Sequence, residues 1–166
     1  MSGIIDDKGK TSSGTLDRTA YFCCNPNGAI LNTAADSWVT FNFNYIRFQY
    51  PRGRFSSGIY HAPFSGVYQM HAMIYLQGNM SSDAAYYQTR INTSNNTFYG
   101  AIYDIANFTS SHTTYWSLNW SGIVDMEAGD SCALAMYQAE GTVQTDISEH
   151  SFWSGELVGS ITGDDT

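Results

Sequence analysis

From Thr19 onward, apolar and polar positions alternate with a period of two in short runs separated by turn residues. Thr19–Cys24 is predicted as a first strand, closed by the turn signal Asn25-Pro26-Asn27-Gly28. Ala29–Asn32 makes a short second one. Trp38–Gln49 then reads as one alternating strand, with Val39, Phe41, Phe43 and Tyr45 on the face expected to enter the core. Later strands are expected at Ala84–Asn92, Phe98–Ile105, Thr114–Val124, Cys132–Gln138, Thr142–Ile147 and Ser151–Ile161. Within them Tyr87, Thr89 and Ile91 share a face, as do Trp116, Leu118 and Trp120, and Cys132, Leu134 and Met136. No segment has helical periodicity, and turn signals recur about every ten residues, which predicts an all-β domain.

One stretch organises the rest. Gly58–Met70 reads as a strand, a forced turn and a second strand. Ala62 is pushed into extended backbone by the proline that follows it. Pro63 cannot donate to a ladder and so ends the first strand or holds it at an edge. Gly66 is expected to supply the freedom for a tight reversal, after which Val67–Leu76 runs on as a long β-favouring segment.

Composition sharpens this picture. Aromatic residues make up 15% of the 166 positions, and charged residues only 13%, well below the usual quarter. Self-association covering part of the surface is the economical explanation. A net charge of −8 argues against nucleic acid as partner, which would require a basic face. No run approaches the ~20 apolar residues of a membrane helix, and no apolar signal-peptide core follows Met1, so neither a membrane nor a secretory route is expected. The three cysteines, Cys23, Cys24 and Cys132, are too few and too oddly spaced for a disulfide framework, and reduced thiols are expected. On a strand, Cys23 and Cys24 point to opposite faces.

The sequence points away from catalysis. His61, His71, His112 and His150 are far apart, with no metal-ligand spacing, so no metal and no cofactor is expected. No nucleophile elbow, phosphate loop or zinc-binding helix occurs. Asp125, Glu127 and Asp130 read as solvated turn carboxylates rather than an acid–base pair. Residues 1–17 are small, polar and glycine-punctuated, with Ile4, Ile5 and Leu16 as apolar anchors and Lys8 and Lys10 as cations, joined by Arg18 directly after them. They are expected to form an N-terminal arm, with the head spanning 18–166.

The stretch with Gly58, Tyr60, Ala62-Pro63, Gly66 and Tyr68 resembles the glycine, aromatic, Ala-Pro, Gly-x-Tyr signature of the complement C-one-q-like globular head, of the tumour-necrosis-factor jelly-roll superfamily. Two further matches follow in order. Met126-Glu-Ala-Gly129-Asp130 resembles the family's Gly-Asp turn, and Trp153-Ser-Gly155-Glu-Leu157 resembles its closing strand, with Trp153 in place of the usual phenylalanine. The resemblance covers about residues 19–161. It implies a ten-strand jelly-roll sandwich assembling as a homotrimer, with Gly58, Tyr60, Pro63, Gly66, Tyr68, Gly129, Asp130, Trp153 and Gly155 as its motif. The tyrosine-rich strand Val67–Leu76 is the expected three-fold contact.

Without a collagen-like stalk, the resemblance fits a virion protein better than a secreted animal one. The expected function is a non-enzymatic, homotrimeric capsid cement or decoration protein of a bacteriophage, made in the host cytoplasm. Its arm, through Ile4, Ile5, Lys8, Lys10, Leu16 and Arg18, would lie on the major capsid protein or another virion component. The alternative is a receptor- or glycan-binding knob of a phage fibre, using the loops Gly78–Asp83, Thr93–Thr97 and Asn107–Thr113.

Overall fold

The computed structural model describes residues 19–77, 83–104 and 115–159. Every regular element among them is a strand. In chain order these are β1 (Tyr21–Asn25), β2 (Ile30–Thr33), β3 (Trp38–Thr40), β4 (Tyr45–Tyr50), β5 (Phe55–Ser56), β6 (Ile59–His61) and β7 (Gly66–Gln77). The second half holds β8 (Tyr86–Thr93), β9 (Thr97–Tyr103), β10 (Tyr115–Met126), β11 (Ser131–Ala139), β12 (Thr145–Ile147) and β13 (Phe152–Gly159). The number exceeds the ten expected because the sheet margins are divided into pieces of two to four residues, β2, β3, β5, β6 and β12.

Two antiparallel sheets face each other. The seven-stranded sheet runs β2-β12-β7-β13-β1-β4, with β10 on the other flank of β7. The six-stranded sheet runs β5-β6-β11-β8-β9, with β3 also on β11. Alternation decides what goes inside: Tyr68, Met70, Ile74 and Leu76 from β7 meet Tyr87, Ile91, Leu134 and Met136 from β8 and β11. β9 and β10 meet at one side of the sandwich, where Trp120 Nε1 donates to the Phe98 carbonyl (3.1 Å) and Tyr103 Oη donates to the Asn119 carbonyl (3.3 Å).

Two sequence expectations are corrected. Trp38–Gln49 is not one strand: β3 pairs with β11 in one sheet and β4 with β1 in the other, and residues 41–44 cross between them. Phe41 and Phe43 are buried during the crossing, their rings stacked at 5.6 Å, while Tyr45 has left the core and is 52% exposed. Likewise, Ala62–Ser65 is no hairpin reversal, since β6 and β7 belong to different sheets. Gly66 serves close packing: a Cβ there would overlap the Gly159 carbonyl oxygen and a Leu157 methyl group.

Candidate interaction surfaces

The motif residues converge on one end of the core. Tyr60, Tyr68 and Trp153 are all but fully buried. Phe22 lies among them, its ring 4.3 Å from that of Tyr60 and 4.8 Å from that of Trp153. Gly155 leaves room for that ring, because a Cβ would come 2.7 Å from Phe22 Cε1. Pro63 and Asp130 lie on two loops that are bonded to each other. Gly129 N donates to the Ala62 carbonyl (2.8 Å), Ala62 N to the Asp130 carbonyl (2.9 Å) and Ala128 N to Ser65 Oγ (3.0 Å). Asp130 Oδ2 then accepts from Glu127 N and Asn95 Nδ2, both at 2.9 Å. The three sequence matches thus form one continuous scaffold. Of the proposed arm residues, Ile4, Ile5, Lys8, Lys10, Leu16 and Arg18 all lie outside the described residues.

That scaffold is chemically quiet. Burial pushes the Cys24 and Cys132 thiols and the Tyr60 phenol well up, and carries Tyr68 to about 12. Tyr68 Oη donates to the Phe64 carbonyl at 2.7 Å, which places this tyrosine of β7 in the core rather than on a contact surface. All three cysteines are free thiols. Cys24 is buried and Cys23 half-buried on the opposite face, as the alternation requires. The Cys23 thiol is also raised, by burial working against the nearby Arg47 cation. Among the described residues no three His, Cys, Asp or Glu side chains group to hold a metal.

Two outer faces offer more. On the seven-stranded sheet, the register aligns Tyr50, Tyr21, Glu156, Gln69 and Ile123 in one row across five strands. At the spacing of sheet strands that row is about 19 Å long. Its β4 end is aromatic: Tyr50 (53% exposed), Tyr21 (40%) and Phe48 (56%) touch through rings 6.0 Å apart. Its β10 end is aliphatic, with Ile123 61% exposed beside an open groove of about 520 Å³ under Phe98, Gly100 and Trp120. Between them lies a depression of about 220 Å³ bounded by Tyr21, Phe48, His71 and Glu156. His71 Nδ1 is held 3.1 Å from Ser121 Oγ there.

The outer face of the six-stranded sheet carries a second aromatic group. Trp38 of β3 lies 5.4 Å from Tyr137 of β11 and 5.8 Å from Tyr99 of β9, and Tyr86 of β8 is 5.9 Å from Tyr137. The Arg90 guanidinium stacks 3.9 Å above the Trp38 ring. The pattern of single strands could not show this group, since its members come from four strands joined only by register. Of the loops proposed for recognition, residues 78–82 and 107–113 lie outside the described residues. Thr93–Thr97 is a braced turn, with Thr93 N donating to the Asn96 carbonyl (2.8 Å) and Asn96 N to Thr93 Oγ1 (3.0 Å).

No family model and no curated protein matches the chain in sequence. Solved structures do match in shape. Murine APRIL superposes with a TM-score of 0.60 at 11% identity, over 85% of this chain and all of that one. The globular domain of zebrafish complement 1qA gives 0.57 at 15%, over 84% and 97%. The fold is the tumour-necrosis-factor and C1q-like jelly roll. The same jelly roll is found in the vertex protein P5 of PRD1, which matches at 0.55 and 11% identity over 84% of this chain and 96% of that chain.

Proposed function

We propose that the chain is a non-enzymatic structural protein of a virus particle, a homotrimeric cement or decoration protein of a bacteriophage capsid. The observation that carries this reading is the row from Tyr50 to Ile123, which ends in two unlike apolar patches on opposite margins of one sheet. Exposed apolar patches of this kind mark contact surfaces. A surface whose two ends differ joins head to tail, and a head-to-tail contact closes when its rotation completes a ring. A ring of three places the aromatic end of each head on the aliphatic end of the next. The low charge content of the chain agrees with surface covered in this way. The vertex protein of PRD1, built on the same fold, supports a place in a virion.

In this reading residues 1–17 are the tether. Ile4, Ile5 and Leu16 supply apolar anchors, and Lys8 and Lys10, with Arg18 at the first position of the head, meet acidic shell surface. Three arms acting together convert weak single contacts into tight attachment. The test is light scattering and shell co-sedimentation on the full chain and on a chain lacking residues 1–17. Trimers in both, with shell binding only in the full chain, are expected. Monomers of the full chain, or equal shell binding by both, would sink the proposal.

A further inference from the structure

The aromatic group on the outer face of the six-stranded sheet faces away from the core and lies apart from the row just described. Tyr99 is 60% exposed, and Trp38, Tyr86 and Tyr137 are each half-buried with part of the ring in solvent. The rings come from β3, β8, β9 and β11, so they sit on a rigid sheet rather than on loops. Ring centroids follow one another at 5.9, 5.4 and 5.8 Å from Tyr86 through Tyr137 and Trp38 to Tyr99. Such a chain of rings is longer than one small ligand and has the form of a track.

From this arrangement we infer that the face is a carbohydrate-binding platform, taking an extended oligosaccharide along the line Tyr86–Tyr137–Trp38–Tyr99. The chemistry is complementary. The negative face of an aromatic ring attracts the polarised C–H groups on the apolar side of a pyranose ring. Phenol hydroxyls at the rim donate to and accept from sugar hydroxyls.

Arg90 narrows the choice of sugar. Its guanidinium stacks on Trp38, its Nε is buried without a hydrogen-bond partner, and no carboxylate among the described residues is paired with it. A guanidinium held flat in this way presents its remaining N–H groups as a fork suited to a carboxylate. The preferred ligand is therefore a glycan bearing an acidic sugar, with the carboxylate at Arg90 and neighbouring rings of the chain on Tyr137 and Tyr99. This inference does not depend on the position of the protein in a virion.

The test uses the full chain and two probes, a hexamer of β-1,4-linked N-acetylglucosamine and a hexamer of uronic acid, titrated while tryptophan fluorescence and backbone amide shifts are recorded. Binding of the uronic hexamer is expected, with shifts confined to β3, β8, β9 and β11. Tyr99→Ala, at an exposed position where folding is safe, should weaken it by about tenfold, and Tyr99→Phe should restore it. Arg90→Gln should remove the preference for the uronic over the neutral hexamer. The inference is overturned if neither hexamer binds, or if the shifts fall elsewhere. It is equally overturned if Tyr99→Ala binds as the parent does.

Discussion

Gly58 lies directly against the backbone of Phe41: a Cβ on Gly58 would overlap the Phe41 carbonyl oxygen and come 2.6 Å from Asn42 Cα. Its φ of +78° is also in the left-handed region. The segment that crosses between the sheets therefore rests on a glycine, and the glycine that opens the sequence motif has a steric reason to be one.

Gly58→Ala is accordingly expected to be severe, since strain and overlap with immovable backbone add. A loss of about 3 kcal/mol or more is expected in urea unfolding. Gly28→Ala is the control. It shares a positive φ, +102°, but meets nothing within 4 Å, so its cost should stay at about 1–2 kcal/mol. Equal losses at the two sites would mean that the contact with Phe41 is unimportant.

The two loops joined at the end of the sandwich give a second test. Asp130 Oδ2 accepts both Glu127 N and Asn95 Nδ2. Asp130→Ala removes both bonds and should lower stability by about 1–3 kcal/mol. Ser65→Ala removes a single acceptor, for Ala128 N, and should cost about 1 kcal/mol. Hydrogen exchange should speed up at Ala62 and Gly129 in both variants. Unchanged exchange at those two amides would show that the side chains do not hold the loops together.

Burial of neutral acids predicts an alkaline limit. The thiols of Cys24 and Cys132 lie above their ordinary 9.0, and Tyr68 is raised from 10.0 to about 12. Each group ionises more readily in the unfolded chain, so its contribution to stability is full below its unfolded value and is lost as pH rises from there towards its folded value. Urea midpoints should be level up to about pH 9 and fall above it. In a Cys23→Ala, Cys24→Ala, Cys132→Ala triple variant the fall should begin nearer pH 10, where Tyr60 and Tyr68 take over. A triple variant that falls as early as the parent would acquit the thiols.

Much of this was legible in the sequence where burial is one-sided. β7, β8 and β10 alternate cleanly, and Met70, Ile91 and Leu118 all point where the period places them, while in β11 the alternation is broken by the buried Ala135 between Leu134 and Met136. The strand break inside Trp38–Gln49 was not legible, because Phe41 and Phe43 keep the same spacing while the chain crosses to the other sheet. Ala62–Gly66 was misread for a similar reason: proline and glycine mark a change of direction without saying whether the next strand returns beside the first or joins the opposite sheet. The surfaces were the least legible part. Tyr50 and Ile123, or Trp38 and Tyr99, become neighbours or opposites only through strand register, which no local pattern encodes.

The proposed ring of three heads makes the last prediction. Phe48 and Ile123 are both exposed in the monomer, at opposite margins of the seven-stranded sheet, and neither contributes to the core. Phe48→Asp and Ile123→Asp should each leave the unfolding midpoint of the isolated head almost unchanged, since exposed substitutions cost about 0.5 kcal/mol or less. In the assembly, each would place a carboxylate against an apolar partner surface, and three copies of that penalty act at once. Light scattering should then report monomers for either variant at concentrations where the parent is trimeric. Because the contact is head to tail, mixing the two variants tests it further: any pair of heads that meets through the two intact ends can still associate, but no ring can close. Dimers in the mixture, with monomers in each variant alone, would identify the two patches as the two halves of one contact. If either variant alone stays trimeric, its patch lies outside the interface, and the heads associate through another surface.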